Sequence, residues 1–344
     1  MSELDLIAFL KRAIDFGQHQ FLATAIKDRL SISLGETSFD FAESEYSLKP
    51  CIEHCLSSSD SNRYLDSKIK IYADYSGWYL QDEFMQRYIL DDIENNTRIK
   101  LEAIGIRVIY SPKRQAWDIF DTFNFFGIRL LPNKSCIEPW EPTSPLAYFC
   151  KWVAEIDNKT IIHAGSLSIN GVGALIIGNG GAGKSGTIIG SMKHGFKSSG
   201  DDYTLLSKKS NTYRAYAVYR TVKQDVSGLQ RLNIPISSKL NWQNKAVFRP
   251  EKVFSNCIVD SVPIHMLIMP SLGGTETTFH PINPVTVFKT LTISTLKQLC
   301  GGYAPMFVAC AQLIHDVPCY GLTLSPDASE VSLKLKNFIE DFKC

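Results

Sequence analysis

The chain has 344 residues, enough to bury a sizeable core and, by length, to hold about two domains. Hydrophobic residues make up 44% and charged residues 21%, the balance of a folded globular chain rather than a disordered one, and no apolar run approaches the roughly 18 residues that span a bilayer. A net charge of +1 gives the chain as a whole no electrostatic case for nucleic acid or an anionic membrane, and nine scattered cysteines fit reduced thiols better than a disulfide framework.

The start, Met1-Ser2-Glu3-Leu4-Asp5, is acidic where an export signal would be basic, so a cytoplasmic setting is expected. Helical spacing runs through Leu6, Ile7, Leu10, Ile14 and Phe16, then Phe21, Leu22, Ala25, Ile26 and Leu30, with Gly17 read as a break. Cys51, His54 and Cys55 offer soft ligands, but a structural zinc site needs four and no second pair follows. Residues 57–62 read as a loop, and Ile69-Lys70-Ile71 as the start of a strand. From Arg107 to Pro132 the pattern is β-rich: Val108 to Tyr110, Ala116 to Phe120 and Ile128 to Leu131, with a turn at Ser111-Pro112-Lys113-Arg114.

The prolines at 132, 139, 142 and 145 suggest a linker, so the chain is divided into an α+β part, residues 1–140, and a catalytic part, residues 141–344. An amphipathic helix from Leu146 to Ile156 follows, with Phe149 and Trp152 inward. Thr160 to Ile169 is strand-like and carries His163, and Asn170-Gly171 is a hairpin turn. That histidine reads either as an active-site group or as a core residue bonded to a backbone carbonyl.

The hairpin leads through Gly173 to Ile177, an apolar strand, into Gly178-Asn179-Gly180-Gly181-Ala182-Gly183-Lys184-Ser185. This is a full match to the phosphate-binding loop: the glycines let backbone N–H groups turn around a polyphosphate, Lys184 brings a charge to the β/γ-phosphates and Ser185 a hydroxyl to Mg²⁺. Gly186 continues the nucleotide-binding stretch. A helix from Lys184 to His194 should present its positive end to the same anion and stop at Gly195. Strand, glycine loop and helix together mark a nucleotide site.

Phosphoryl transfer also needs a carboxylate for Mg²⁺ and a group to accept the hydroxyl proton. Asp201-Asp202 can supply both, since neighbouring side chains of an extended segment point to opposite sides; a solvated acidic turn is the plainer alternative. Arg220 and Lys223 are candidates for a cationic clamp on the phosphoryl group, or for a solvated basic turn. His280, with Gly273-Gly274, suggests a mobile loop near the acceptor. Strand-like runs at Ile264 to Met269 and Tyr320 to Leu324, and helices at Val285 to Leu299, Tyr303 to Ile314 and Ala328 to Phe342, complete an α/β pattern.

His163, the loop Gly178 to Ser185, the helix ending at Gly195-Phe196 and the pair Asp201-Asp202, in that order, resemble the core of the HPr serine kinase family, which is related to the phosphoenolpyruvate carboxykinases. The resemblance implies a P-loop kinase domain of that type, using ATP and Mg²⁺ to phosphorylate a serine-type hydroxyl of a peptide or protein. It implies Asp201 as general base, Asp202 with Ser185 on the metal side, and His163 and Lys184 as active-site partners. The chain departs from the family at Gly186, where HPr kinases usually carry glutamate. After Asp202 it has Tyr219-Arg220-Thr221-Val222-Lys223 in place of an Arg-Gly-rich segment. Residues 1–140 show no similarity to it. The chain is thus more similar to divergent HPr-kinase-like proteins, some of which phosphorylate the tail serine of lasso-peptide precursors. The first part is expected to shape substrate selection or contacts in a homo-oligomer. A small-molecule kinase acting on an amino acid or sugar, and a nucleotide-dependent switch or ATPase, are the alternatives.

Overall fold

The computed structural model describes residues 2–58, 67–87, 92–235, 240–299 and 303–342. They fall into two compact units, Met1–Glu53 with Ser57–Ile156, and His54–Leu56 with Asp157–Cys344. No helix among the described residues is long and apolar enough to cross a membrane.

In chain order the first unit contains α1 (Glu3–Ala23), β1 (Leu30–Leu34), β2 (Thr37–Glu43), α2 (Lys49–Cys55), β3 (Ser57–Ser58), β4 (Ile69–Asp74), α3 (Glu83–Arg87), α4 (Asn95–Ala103), β5 (Ile106–Ser111), β6 (Ala116–Asp121), β7 (Phe126–Leu130) and α5 (Ala147–Ile156). The strands make one seven-stranded sheet in the order β3-β1-β2-β4-β7-β6-β5. It is antiparallel except where β4 pairs in parallel with β2 and β7. Helix α1 buries Leu6, Phe9, Leu10, Ala13 and Ile14 in this unit's core. It runs unbroken through Gly17, contrary to the expected break. The glycine is there for close approach: a Cβ would lie 2.7 Å from Ile128 Cδ1.

The proline-rich stretch is not a linker. Glu141 is buried and pairs with Arg129 at 2.7 Å, and Arg129 holds Asp118 at 2.6 Å, so residues 132–145 are tied into the first unit. Helix α5 also belongs to that unit, with Phe149 and Trp152 buried as expected, which puts the division after Ile156 rather than near residue 140. Of the expected loop at 57–62, Ser57–Ser58 form a short strand against β1, and residues 59–62 lie outside the described residues.

The second unit continues with β8 (Thr160–Ile162), β9 (Gly165–Ile169), β10 (Val172–Ile176), α6 (Lys184–Met192), β11 (Thr204–Lys209), β12 (Thr212–Ala217), β13 (Val222–Asp225), α7 (Val226–Arg231), β14 (Lys245–Phe248), β15 (Ser261–Ile264), β16 (Met266–Leu272), β17 (Thr278–Pro281), α8 (Pro284–Leu296), α9 (Tyr303–Asp316), β18 (Cys319–Leu324) and α10 (Ala328–Glu340). One sheet has the order β17-β18-β16-β10-β9, a second β15-β12-β11-β8, and β13 pairs with β14 alone. At the centre of the first, β10, β16 and β18 are parallel.

Alternation along β10 decides what packs on each face. Ala174 and Ile176 join Ile188 and Ile189 of α6 and Val331 and Leu335 of α10 in one core. Leu175 and Ile177 face the other way, into a core with Leu206, Ala215, Leu291 and Leu313. Strand β10 is buried on both faces, which is why it reads as a continuous apolar run.

Candidate active site

The turn at Asn170-Gly171, with φ of 50° and 84°, joins β9 to β10 in register and aims β10 at the glycine loop. The loop ends at Gly183, which takes a left-handed φ of 97° and would clash through any Cβ with Leu324 Cδ1, 2.4 Å away. Helix α6 begins at Lys184, so its unpaired first-turn N–H groups and positive end open onto the loop. The Lys184 ammonium donates to the carbonyls of Gly178 at 2.6 Å and Asn179 at 3.3 Å. Burial lowers its pKa, against the pull of Asp202 and Asp201.

Helix α6 closes at Gly195, φ 89°, with the Phe196 N–H returning to the Ser191 carbonyl. The chain then runs back beside β9. The Lys197 N–H donates to the Ser168 carbonyl, the Ser166 N–H to the Gly200 carbonyl, and the Ser166 and Ser199 hydroxyls meet at 2.7 Å. This return delivers Asp201 to the foot of the glycine loop. Gly165 lets it fit, since a Cβ there would sit 3.0 Å from Asp201 Cα and 2.1 Å from Ile188 Cδ1.

The two aspartates point to different partners. Asp201 is 1% exposed, and its Oδ2 accepts the Lys223 backbone N–H at 3.2 Å. Burial and then the charge of Asp202 push its pKa up, while the Lys223 backbone N–H and charge and the Ser185 hydroxyl work against the rise. The Asp202 side chain is 29% exposed, receives Lys223 Nζ at 3.0 Å on Oδ2 and meets His163 Nε2 at 3.2 Å on Oδ1. Burial would raise its pKa, but the Lys223 charge and the hydrogen bonds of His163 and Lys223 outweigh it and hold the carboxyl below the usual range. Tyr203 packs between these partners, its ring 6.3 Å from that of His163 and 5.8 Å from Lys223 Nζ.

His163 is not on the strand that pairs with β10. The run expected at 160–169 divides: β8 pairs with β11 in the four-stranded sheet, β9 with β10 in the other, and His163-Ala164 is the crossing between sheets. Its N–H is fixed by the Thr295 hydroxyl of α8 at 3.0 Å. Thr295 was invisible to motif reasoning, because nothing in the sequence marks a contact 132 positions away. Of the expected clamp, Lys223 reaches the aspartates, whereas the Arg220 guanidinium is engaged by Asp260. His280 lies in β17, paired with β18, and not in a loop.

The donor set fits Mg²⁺. Among the described residues Asp201 Oδ1 is buried with no hydrogen-bond partner, and the Ser185 hydroxyl acts on the same carboxylate. One carboxylate and one hydroxyl suit an ion that takes its remaining ligands from water and phosphate. No group of three or more His, Cys, Asp or Glu side chains among the described residues forms a protein cage for a metal.

No family model matches the chain, and no curated protein matches it. Among solved structures, the HPr(Ser) kinase/phosphatase from Coxiella burnetii aligns with 53% of this chain and 99% of its own, at 13% identity and a TM-score of 0.30. A likeness of that size transfers nothing, so the functional conclusion rests on the residues described above.

Proposed function

We propose that the second unit is a MgATP-dependent phosphotransferase acting on a serine-type hydroxyl of a peptide or protein. The observation that carries this is the division of the aspartate pair, one member beside Ser185 of the glycine loop and the other beside His163 and Lys223. A site for nucleotide binding alone needs the first arrangement and has no use for the second.

The loop N–H groups and Lys184 bind the phosphates. Ser185 and Asp201 would hold Mg²⁺, and the chemistry it would supply is neutralisation of the charge that develops on the transferred group. Asp202 receives the acceptor hydroxyl and takes its proton, and His163 and Lys223 fix the orientation of its carboxylate. This exchanges the two roles that the family resemblance implies, and exposure favours the exchange: Asp201 is fully buried, while Asp202 is partly open to an incoming hydroxyl. A carboxylate of low basicity suits a loose transition state, in which little proton transfer has occurred when the phosphoryl group leaves.

The serine-type acceptor is supported by the order of His163, loop and Asp201-Asp202, and the first unit is proposed to select that acceptor. The test is a labelled-ATP assay with full-length protein against serine peptides, free amino acids and sugars. Label on a peptide serine is the expected result. Label on a small molecule would move the substrate class, and phosphate release without any labelled acceptor would replace transfer by hydrolysis.

A further inference from the structure

The departure at Gly186 leads away from the phosphates to a groove that the chemistry above does not use. Gly183 of the loop opens onto it, and Gly186, Thr187, Gln224, Leu272, Leu324 and Arg231 are among its walls, with about 490 Å³ of space open to solvent. Two features of the groove point to a ligand. Gln224 is only 8% exposed, yet its side-chain amide makes no hydrogen bond within the described residues, although it lines the groove. The amide reaches the groove with its donor and acceptor both unused by protein groups among the described residues, and a ligand in the groove would supply partners. Leu272, in turn, stands 61% exposed at the lip, directly beside the phosphate loop.

Gly186 connects these features. A Cβ on it would stand 3.4 Å from Gln224 Nε2, so a side chain there would crowd the amide. With glycine there, the amide faces open space.

We propose that this groove is the nucleobase subsite and that Gln224 reads adenine. The inference rests on residues 178–185 binding phosphate, since the groove begins where that loop ends. Leu272 and Leu324 offer apolar surface to the base, and the Arg231 guanidinium at the rim can stack on its face. A carboxamide presents one donor and one acceptor, the pair that complements N6 and N7 of adenine. Guanine offers two acceptors, O6 and N7, at the same edge.

The test is calorimetric titration of full-length protein with ATP, GTP and inorganic tripolyphosphate, each with Mg²⁺. ATP is expected to bind about tenfold or more tightly than GTP, the discrimination expected of one bidentate amide contact. Gln224→Ala should bring ATP to the GTP level and leave tripolyphosphate binding unchanged, which also reports that the variant is folded. Leu272→Ser, at an exposed position, should weaken both nucleotides and spare tripolyphosphate. If tripolyphosphate, ATP and GTP bind alike, or if Gln224→Ala leaves the ATP-to-GTP ratio intact, the base subsite is wrong while the phosphate site stands. If none of the three binds, the phosphate site fails and the base subsite with it.

Discussion

His163 Nε2 and Asp202 Oδ1 meet at 3.2 Å across 39 positions of chain, and the backbone of His163 is pinned by Thr295 from a third element. A histidine at a crossing between two sheets, tied on both sides, is built to hold a carboxylate in one orientation. Asp202→Asn should therefore keep MgATP affinity and lower transfer to the hydroxyl by about two orders of magnitude or more. Steady-state kcat and KM for ATP check this, and an Asp202→Asn enzyme turning over at the wild-type rate would remove Asp202 from the mechanism. His163→Ala should lower kcat less, with KM for ATP unchanged.

Gly165 is where strand β9 passes the backbone of Asp201. Gly165→Ala would press a methyl on Ile188 Cδ1 and Asp201 Cα. Overpacking of this kind costs about 1–3 kcal/mol. Urea unfolding should show that loss, and MgATP binding should weaken in the folded fraction because Asp201 is displaced from Ser185. A Gly165→Ala protein of wild-type stability would mean the contact is not as tight as described.

The glycine loop, the helix behind it and the strands around Tyr110, Trp117 and Tyr320 were legible because each rests on local chemistry: glycine conformations, helix period and strand alternation. What escaped were features that depend on distant partners. Gly17 looks like a break in one dimension and is a contact surface for Ile128 in three. Residues 132–145 look like a linker because prolines are local signals, whereas the Arg129–Glu141 pair that anchors them is not. The aspartate pair was visible, but the different partners of its two members were not, since His163 comes from the crossing between β8 and β9 and Lys223 from the β13–β14 ribbon.

In the first unit Arg129 bridges Asp118 and Glu141, all three buried. Removing the cation strands two carboxylates, so Arg129→Met should cost about 3–5 kcal/mol. Replacing all three by apolar residues of similar volume should restore much of that. Denaturant titrations of the single and triple variants compare the two, and a single variant as stable as wild type would contradict the pairing.

Asp40 gives a pH test. It is fully buried on β2, and burial raises its pKa against hydrogen bonds from Ser67 and Ser31. With the folded pKa above the unfolded one, the charged form is the unfavourable one. The cost is absent below the unfolded value near 3.8 and grows as pH rises through the folded value. Asp40→Asn should therefore raise the Tm more at pH 8 than at pH 4. An equal shift at both pH values would show that the carboxyl carries no such penalty.

The site stands or falls on MgATP binding by the full-length protein, measured with and without Mg²⁺ for wild type, Lys184→Ala and Asp201→Asn. The expected result is tight binding that strengthens with Mg²⁺ in the wild type, loss of binding in Lys184→Ala, and in Asp201→Asn binding that no longer responds to Mg²⁺. ATP affinity that survives Lys184→Ala unchanged, or an Asp201→Asn protein with the full Mg²⁺ response, would contradict the assignment of the glycine loop and its buried aspartate.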